Sequence, residues 1–506
     1  MNSRAACIGL TLLAMVCLGC LPEARVTWSP DGKWALVRGG DGLRLCDADG
    51  KLSLPIAENV PAAAWLPDSR QFIAVWTKSL VSWEELLPCL SEDRKAGAMA
   101  FAGDFRRQIL AYKGDWGKFA FDAKPADIMA ALMCLRDQFG KELAPVVGPT
   151  WEDLKGIGHT VYVVQLFEVA DGEAKPGKRL LESLEPIAEV RVAPTGKAFA
   201  YAAPPYPPTS AEPTYSLFVA SLAATDRPRL VQHRVAIFFD WTPDGRSLVL
   251  ASADAPDPTS RMPGVGFGST EQAFLYTRNR VREPERQYPL RAGDIIKREA
   301  VNEDGSLVQS PKGSNLAKVI FFDSLPVRCL RDGRVLFVTR EVHLPAPLAD
   351  MPGNLALFSV DPANPKAIRH AILPEVRKEV GHGLDLFQLS PDETRISAPD
   401  GRPAVIFHAA AHPDETRISA PDGKGAVVVL DLAKGQVTRT PDETVQGRTA
   451  MIPVWRSNEE LCFVVPAGSK LGSPSREEVV LWSSAGLRCL SKDWPESVAK
   501  GFLQSK

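Results

Sequence analysis

The chain has 506 residues, of which 45% are hydrophobic and 24% charged, with 59 Lys and Arg against 61 Asp and Glu. Enough apolar side chains are present for a packed core, which excludes a disordered chain, and a formal charge of -2 excludes a chain-wide basic field for nucleic acid or anionic membrane. The 42 prolines and 38 glycines point to a chain divided by many turns.

The N-terminus reads as an export signal. Arg4 supplies a positive start, and residues 5–18 form an apolar run too short to span a bilayer. That run ends in Cys17-Leu18-Gly19-Cys20, which resembles the bacterial lipobox. The resemblance implies a signal peptide over 1–19, a lipid on Cys20 and a short linker over 20–23. It also implies attachment at the cell envelope, with Leu21 favouring the outer membrane. Six cysteines follow Cys20, namely Cys46, Cys89, Cys134, Cys329, Cys462 and Cys489, with no Cys-x-x-Cys spacing. Even in a disulfide-permissive compartment they read as scattered strand residues rather than a zinc or redox motif.

One short pattern then recurs along the chain. It begins as Trp28-Ser29-Pro30-Asp31-Gly32-Lys33 and returns in altered form around Pro67, Pro194, Pro243, Asp332, Pro391 and Asn458. Pro sets φ for the second turn position, Asp caps local amides, and Gly takes the left-handed position, so each copy predicts a tight β-hairpin. A second strand follows each turn, then a loop, then strands such as residues 43–46 or 215–219. Four strands per repeat predict an all-β chain of about seven blades, with six or eight as the alternatives, over 24–492, followed by a tail over 493–506. Asn302-Glu303-Asp304-Gly305 could head an eighth repeat. The segment PDETRISAPDG occurs twice, from Pro391 and from Pro413, and the second copy leads into the strand-like residues 426–431.

The Trp-Ser-Pro-Asp-Gly-Lys signature resembles the repeat of TolB-type β-propellers, which also occurs in the propellers of prolyl-oligopeptidase-like enzymes. The resemblance implies a single propeller and says little about activity. TolB-type proteins carry an N-terminal α/β domain as well. Here the first repeat begins only a few residues after Cys20, so the likeness covers the propeller.

Several repeats have long connections between their second and third strands: 204–214, 254–272, 343–354 and 466–477. The largest insertion, over 84–158, is predicted to be partly helical. Pro125 suits a first turn, Ile128, Leu132, Leu135, Phe139 and Leu143 keep helical spacing, and Gly140 marks late fraying. Such connections leave a propeller on one face, so Tyr206, Arg261, Met262, Phe267 and His343 are candidate partner-binding residues.

Catalytic motifs are scarce. The sequence has no Gly-x-Ser-x-Gly elbow, no phosphate loop, no His-Glu-x-x-His and no Gly-x-Gly-x-x-Gly. Asp47-Ala48-Asp49-Gly50 lacks the later acids of a calcium loop, and His408 and His412 have no acidic partner. No cofactor, metal or nucleic acid is expected. The sequence supports a non-catalytic envelope propeller that binds a protein or glycan. The alternatives are a channel-mouth enzyme of the polysaccharide lyase or glycoside hydrolase type, for which His233 and His343 are the sparse histidine candidates, and an assembly part acting through its helical insertion.

Overall fold

The computed structural model describes residues 25–113, 127–204, 215–223, 227–252, 291–321, 326–340, 355–371, 387–399, 427–440, 451–467 and 476–499. These form mainly antiparallel β-sheets. The first sheet contains β1 (Val26–Trp28), β2 (Trp34–Gly39) and β3 (Gly42–Asp47), with isolated bridges from Leu43 to Ala57 and from Cys46 to Leu52 along its outer edge. The second contains β4 (Ala62–Trp65), β5 (Gln71–Leu80), β6 (His159–Ala170) and β7 (Glu173–Ser183).

A seven-stranded sheet follows: β8 (Glu189–Val192), β9 (Ala198–Ala203), β10 (Tyr215–Ser221), β11 (Arg229–Trp241), β12 (Ser247–Ser252), β13 (Arg291–Glu299) and β14 (Gly313–Phe321). Its long strand β11 serves two units. Residues up to Val235 pair with β10, and residues from Val235 to Trp241 pair with β12. Arg234, at φ 54, marks the bend between the two halves.

Three four-stranded sheets complete the molecule. They are β15 (Val327–Cys329), β16 (Val335–Arg340), β17 (Leu355–Asp361) and β18 (Asn364–His370); β19 (Gln388–Leu389), β20 (Arg395–Pro399), β21 (Val427–Asp431) and β22 (Val437–Arg439); and β23 (Met451–Trp455), β24 (Leu461–Ala467), β25 (Arg476–Ser483) and β26 (Gly486–Cys489). With β11 counted in both of its roles, the described strands make seven units. Each is headed by one of the seven turn motifs.

The turns form as their chemistry requires. Ser29 Oγ donates to Asp31 Oδ1 at 2.7 Å and accepts from the Trp34 amide at 3.1 Å, while the Lys33 amide donates to Asp31 at 3.2 Å. Thr242 with Asp244, and Ser390 with Asp392, repeat this arrangement. Gly32 and Gly245 take left-handed φ values of 69° and 67°. Where glycine is missing, Ser69 and Glu393 occupy the same position at φ 59°. Both side chains compensate for the strain by accepting a neighbouring turn's amide, Asp31 N to Ser69 Oγ at 3.1 Å and Arg331 N to Glu393 Oε2 at 2.7 Å.

The motif tryptophans link units. Trp65, Trp241 and Trp455 donate their indole N–H to the carbonyls of Thr27, Arg191 and Gln388 at 2.9, 3.0 and 3.3 Å. Each acceptor immediately precedes the corresponding motif position in the preceding unit. Because every sheet lies between two others, the second strands are buried on both faces. Residues 198–203 and 247–252 are buried throughout, and the strands therefore read as continuous apolar runs without alternation.

One sequence expectation is corrected. Asn302–Gly305 turns between β13 and β14, the third and fourth strands of one unit, and heads no eighth repeat. In the duplicated segment the first copy, from Pro391, supplies the turn and β20, and the strand expected over 426–431 is β21, with which β20 pairs. The second copy lies outside the described residues.

Packing runs from sheet to sheet and returns from β23 to β1. Within the described residues no strand of the last sheet pairs with the first, so side chains and the C-terminal segment hold this seam. Arg25, 1% exposed, donates to Glu477, 3% exposed, and to the Val498 carbonyl. Trp494 Nε1 donates to the Gly50 carbonyl at 2.7 Å, Arg456 Nε to the Gly32 carbonyl at 2.9 Å, and Arg488 NH2 to the Ala48 carbonyl at 2.7 Å. Val498, in the short helix Glu496–Ala499, is fully buried beside Val26 and Val479. Part of the segment set apart as a tail thus belongs to the core.

Removing one partner of a buried ion pair leaves the other charge uncompensated. Glu477→Ala should therefore cost about 3–5 kcal/mol, read from the denaturant midpoint. The double variant Arg25→Met/Glu477→Leu should recover most of that loss, and equal losses in the single and double variants would contradict a seam held by this pair.

Candidate functional site

Topology fixes which strand ends could carry a site. Each turn motif joins a first to a second strand, so every second-to-third connection starts and finishes at the opposite end of its sheet. In the first unit that connection is only Gly40 and Asp41. The other six span 81–158, 204–214, 253–290, 341–354, 400–426 and 468–475. The fourth unit's expected loop, 254–272, lies outside the described residues. The last is shorter than 466–477, because β24 extends to Ala467 and β25 begins at Arg476. Tyr206, Arg261, Met262, Phe267, His343 and Cys20 all lie outside the described residues, as do His408 and His412. His233 lies on β11 with Nδ1 3.0 Å from Ser216 Oγ. Asp47–Gly50 is a turn in which Asp47 accepts the amides of Asp49 and Lys51.

The 81–158 connection is the best described of these. It holds two long helices, Glu92–Ala111 and Ile128–Val147, and both are capped as their sequences dictate. Ser91 accepts from the Arg94 amide, and Asp127 accepts from the Ala130 amide at 3.0 Å. The first helix was not anticipated, although Ser91 followed by Glu92 and Asp93 is a start signal and Ala98, Ala102, Phe105 and Ile109 form its buried stripe. The second begins after Pro125 and runs through Gly140 without fraying there, because Gly140 makes room for Trp151, 3.2 Å from where a Cβ would stand. Leu135 and Leu143 are buried, and Leu132 and Phe139 pack against the same cluster. Ile128 departs from the expected stripe at 47% exposed. The cluster includes Leu80, Val161, Val163 and Leu184, so the helices rest on the ends of the second sheet.

A charged clasp ties this insertion down. Arg94 donates to Asp127 at 2.5 Å and to Glu185 at 2.7 Å, joining the two helices to the segment after β7. His159, the first residue of β6, places Nε2 3.6 Å from Asp127 and Nδ1 3.0 Å from the Thr160 carbonyl. Burial lowers the imidazole pKa, but contact with Asp127 and the carbonyl outweighs it and holds the histidine above its ordinary range. Burial likewise raises Asp127, and its bonds to His159, Ala130 and Arg94 overcome this to hold the carboxyl well below the usual range.

A second charged cluster forms where inner strands of three successive units approach one another. Arg191 on β8 pairs with Glu189 at 3.2 Å and with Asp240 on β11 at 3.3 Å, and lies 5.8 Å from the centre of the Phe239 ring. Asp240 also accepts the amides of Trp241 at 3.1 Å and Cys329 at 2.9 Å. The amide of Cys329, on β15, thereby joins the third of these units to the cluster. Sequence spacing gave no notice of this cluster. The available signal was a charged residue directly before three motif positions, Arg191, Asp240 and Arg328, where Ala64 and Val454 stand in other units.

Among the described residues no group of His, Cys, Asp and Glu has metal-binding geometry, and no helix is long and apolar enough to cross a membrane. The described cysteines are free thiols, and burial pushes Cys46 and Cys462 up to about 12.

No family model matches the chain, and no curated protein matches it. Solved structures resemble it at low identity. TolB from Acinetobacter baumannii is 14% identical over 65% of this chain and 59% of its own, with a TM-score of 0.33. The acylaminoacyl peptidase of Pyrococcus horikoshii is 11% identical over 65% of this chain and 41% of its own, at 0.36. Kuenenia stuttgartiensis hydrazine synthase is 11% identical over 83% of this chain and 96% of its own, also at 0.36. The chain thus spans less than two thirds of the TolB and peptidase structures.

The clasp has a defined pH window. A raised His159 pKa stabilises below the ordinary histidine value, about 6.5, and that contribution is lost as pH rises through the folded-state value. A lowered Asp127 pKa stabilises above about 3.9 and is lost as pH falls through its folded-state value. Once corrected for intrinsic rates, amide exchange in the two helices should be slowest between those limits and should speed up above them. His159→Gln should remove the alkaline change, and its persistence would rule out the clasp as the cause.

Proposed function

We propose that the seven strand units close into a seven-bladed β-propeller of the TolB type, exported and held at the cell envelope by a lipid on Cys20. Its loop-rich end holds a protein or glycan partner, and the protein performs no chemistry of its own. One observation carries the reading. Six of seven second-to-third connections are long, and their strand ends share the end opposite the tight turns. Extra length placed repeatedly at one end of a rigid scaffold is the economy of a binding surface.

The first strand adds an orientation. Because β1 runs toward its turn, Arg25 starts at the loop-rich end, and Cys20 stands five residues earlier. At about 3.3–3.6 Å per residue, such a tether reaches at most about 18 Å. The loop-rich end therefore faces the membrane, and the turn end faces away. An enzyme of the lyase or glycosidase type would need carboxylates free for proton transfer. Glu189 and Asp240 are the described pair near the axis, and both are tied to Arg191.

Two measurements test this. Cys20→Ser should move the folded protein from the membrane fraction to the soluble envelope fraction, and continued membrane association would refute the anchor. A variant whose 254–272 loop is replaced by a short turn should fold normally and lose a partner that the wild type captures from envelope extracts. If the wild type and variant capture the same proteins and glycans, this loop is not the binding surface.

A further inference from the structure

We propose that the sixth unit has two interchangeable centre strands, one from each copy of the duplicated segment, which exchange in a single slot of the sheet. The residues from Pro391 to Gly401 are repeated without change from Pro413 to Gly423. A strand's place in a sheet is set by its side-chain pattern, so two identical patterns in one chain compete for the same place.

The first copy defines what the slot demands. In the turn, the Pro391 carbonyl accepts from Arg331 NH2 at 2.7 Å, the Asp392 amide donates to Asn458 Oδ1 at 2.9 Å, and Glu393 Oε2 accepts the Arg331 amide. In the strand, the Thr394 carbonyl accepts from the Leu432 amide at 2.9 Å, and the Arg395 guanidinium lies 5.7 Å from the centre of the Trp455 ring. Ile396, Ser397 and Ala398 are buried. Every one of these residues recurs in the second copy, where Ile418 stands for Ile396. That copy can therefore meet each of these demands.

The two copies differ just upstream. The Ser390 amide donates to the Arg395 carbonyl at 2.8 Å, and its Oγ donates to Asp392 at 2.6 Å and accepts from the Arg395 amide at 3.0 Å. Phe387, 1% exposed, leads into β19. The second copy has Ala409 in place of Phe387 and His412 in place of Ser390, so it lacks the hydroxyl of the cap. These upstream residues make the first copy the resident strand, and the second takes the slot in a minor population.

The hold on the resident is modest. The Ser397 hydroxyl is buried with no hydrogen-bond partner among the described residues, and Pro399, paired with Val427, gives the ladder no N–H. Chain length opposes the exchange little. The residues between the copies move from the connection after the centre strand to the one before it, and loop-closure entropy changes slowly with length. The inference is independent of the partner-binding reading above.

The test uses the full chain, with denaturant unfolding and hydrogen exchange read by mass spectrometry, which separates the copies by their different flanks. A buried Asp without a partner disables whichever copy carries it. Ile418→Asp should leave the wild-type midpoint unchanged. Ile396→Asp should lose less than about half of what the double variant loses, and the departure from additivity measures the rescue. In Ile396→Asp, amide protection should move from residues 395–399 to residues 417–421. Deleting residues 391–412 joins Ser390 to Pro413, which restores the cap beside the second copy, and this variant should fold with a midpoint matching wild type. The proposal fails if Ile396→Asp loses as much as the double variant or does not fold, if protection does not pass to the second copy, or if the deletion variant does not fold.

Discussion

The junction between the first and last sheets depends on the buried contact of Arg25 with Glu477 and the Val498 carbonyl. Every other pair of successive units is joined by the chain itself. At this junction the described strands do not pair across the gap, and covalent continuity gives no help. A single guanidinium therefore gathers the first residue before β1, the start of β25 and the C-terminal helix. Two charges taken from water are worthwhile only when their partners are exact in position. Trp494, Arg456 and Arg488 supply further contacts that keep them so.

The turn motifs were legible because their chemistry is local. Pro, Asp and Gly at fixed offsets act through bonds that span two to five residues, so Ser29 and Asp31 predict their own partners. The same locality explains the error at Asn302–Gly305, which has the turn signature but joins strands later in a unit. Sequence identifies a turn more readily than its place in a sheet. Ser69 and Glu393 show the converse: each departs from glycine in a left-handed position, and the reason lies in a neighbouring turn's amide, far away in the sequence.

The site was less legible. The helix Glu92–Ala111 has an alanine-rich buried face, and small residues give a weak apolar period even where they pack tightly. Ile128 looked like part of the stripe but sits in the first turn beyond the reach of the sheet ends. The second charged cluster joins Glu189, Arg191, Asp240 and the Cys329 amide across three units, and no spacing rule links them. Only the register of the inner strands brings them together.

The shared strand β11 joins the third and fourth units differently from the rest. Other neighbouring units lie in separate sheets, but the third and fourth are continuous through one backbone bent at Arg234. That joint lies within one hydrogen-bonded sheet, whereas the first and last sheets meet with no paired strand among the described residues, so the two junctions resist separation by different means: one by a continuous backbone, the other by side chains alone.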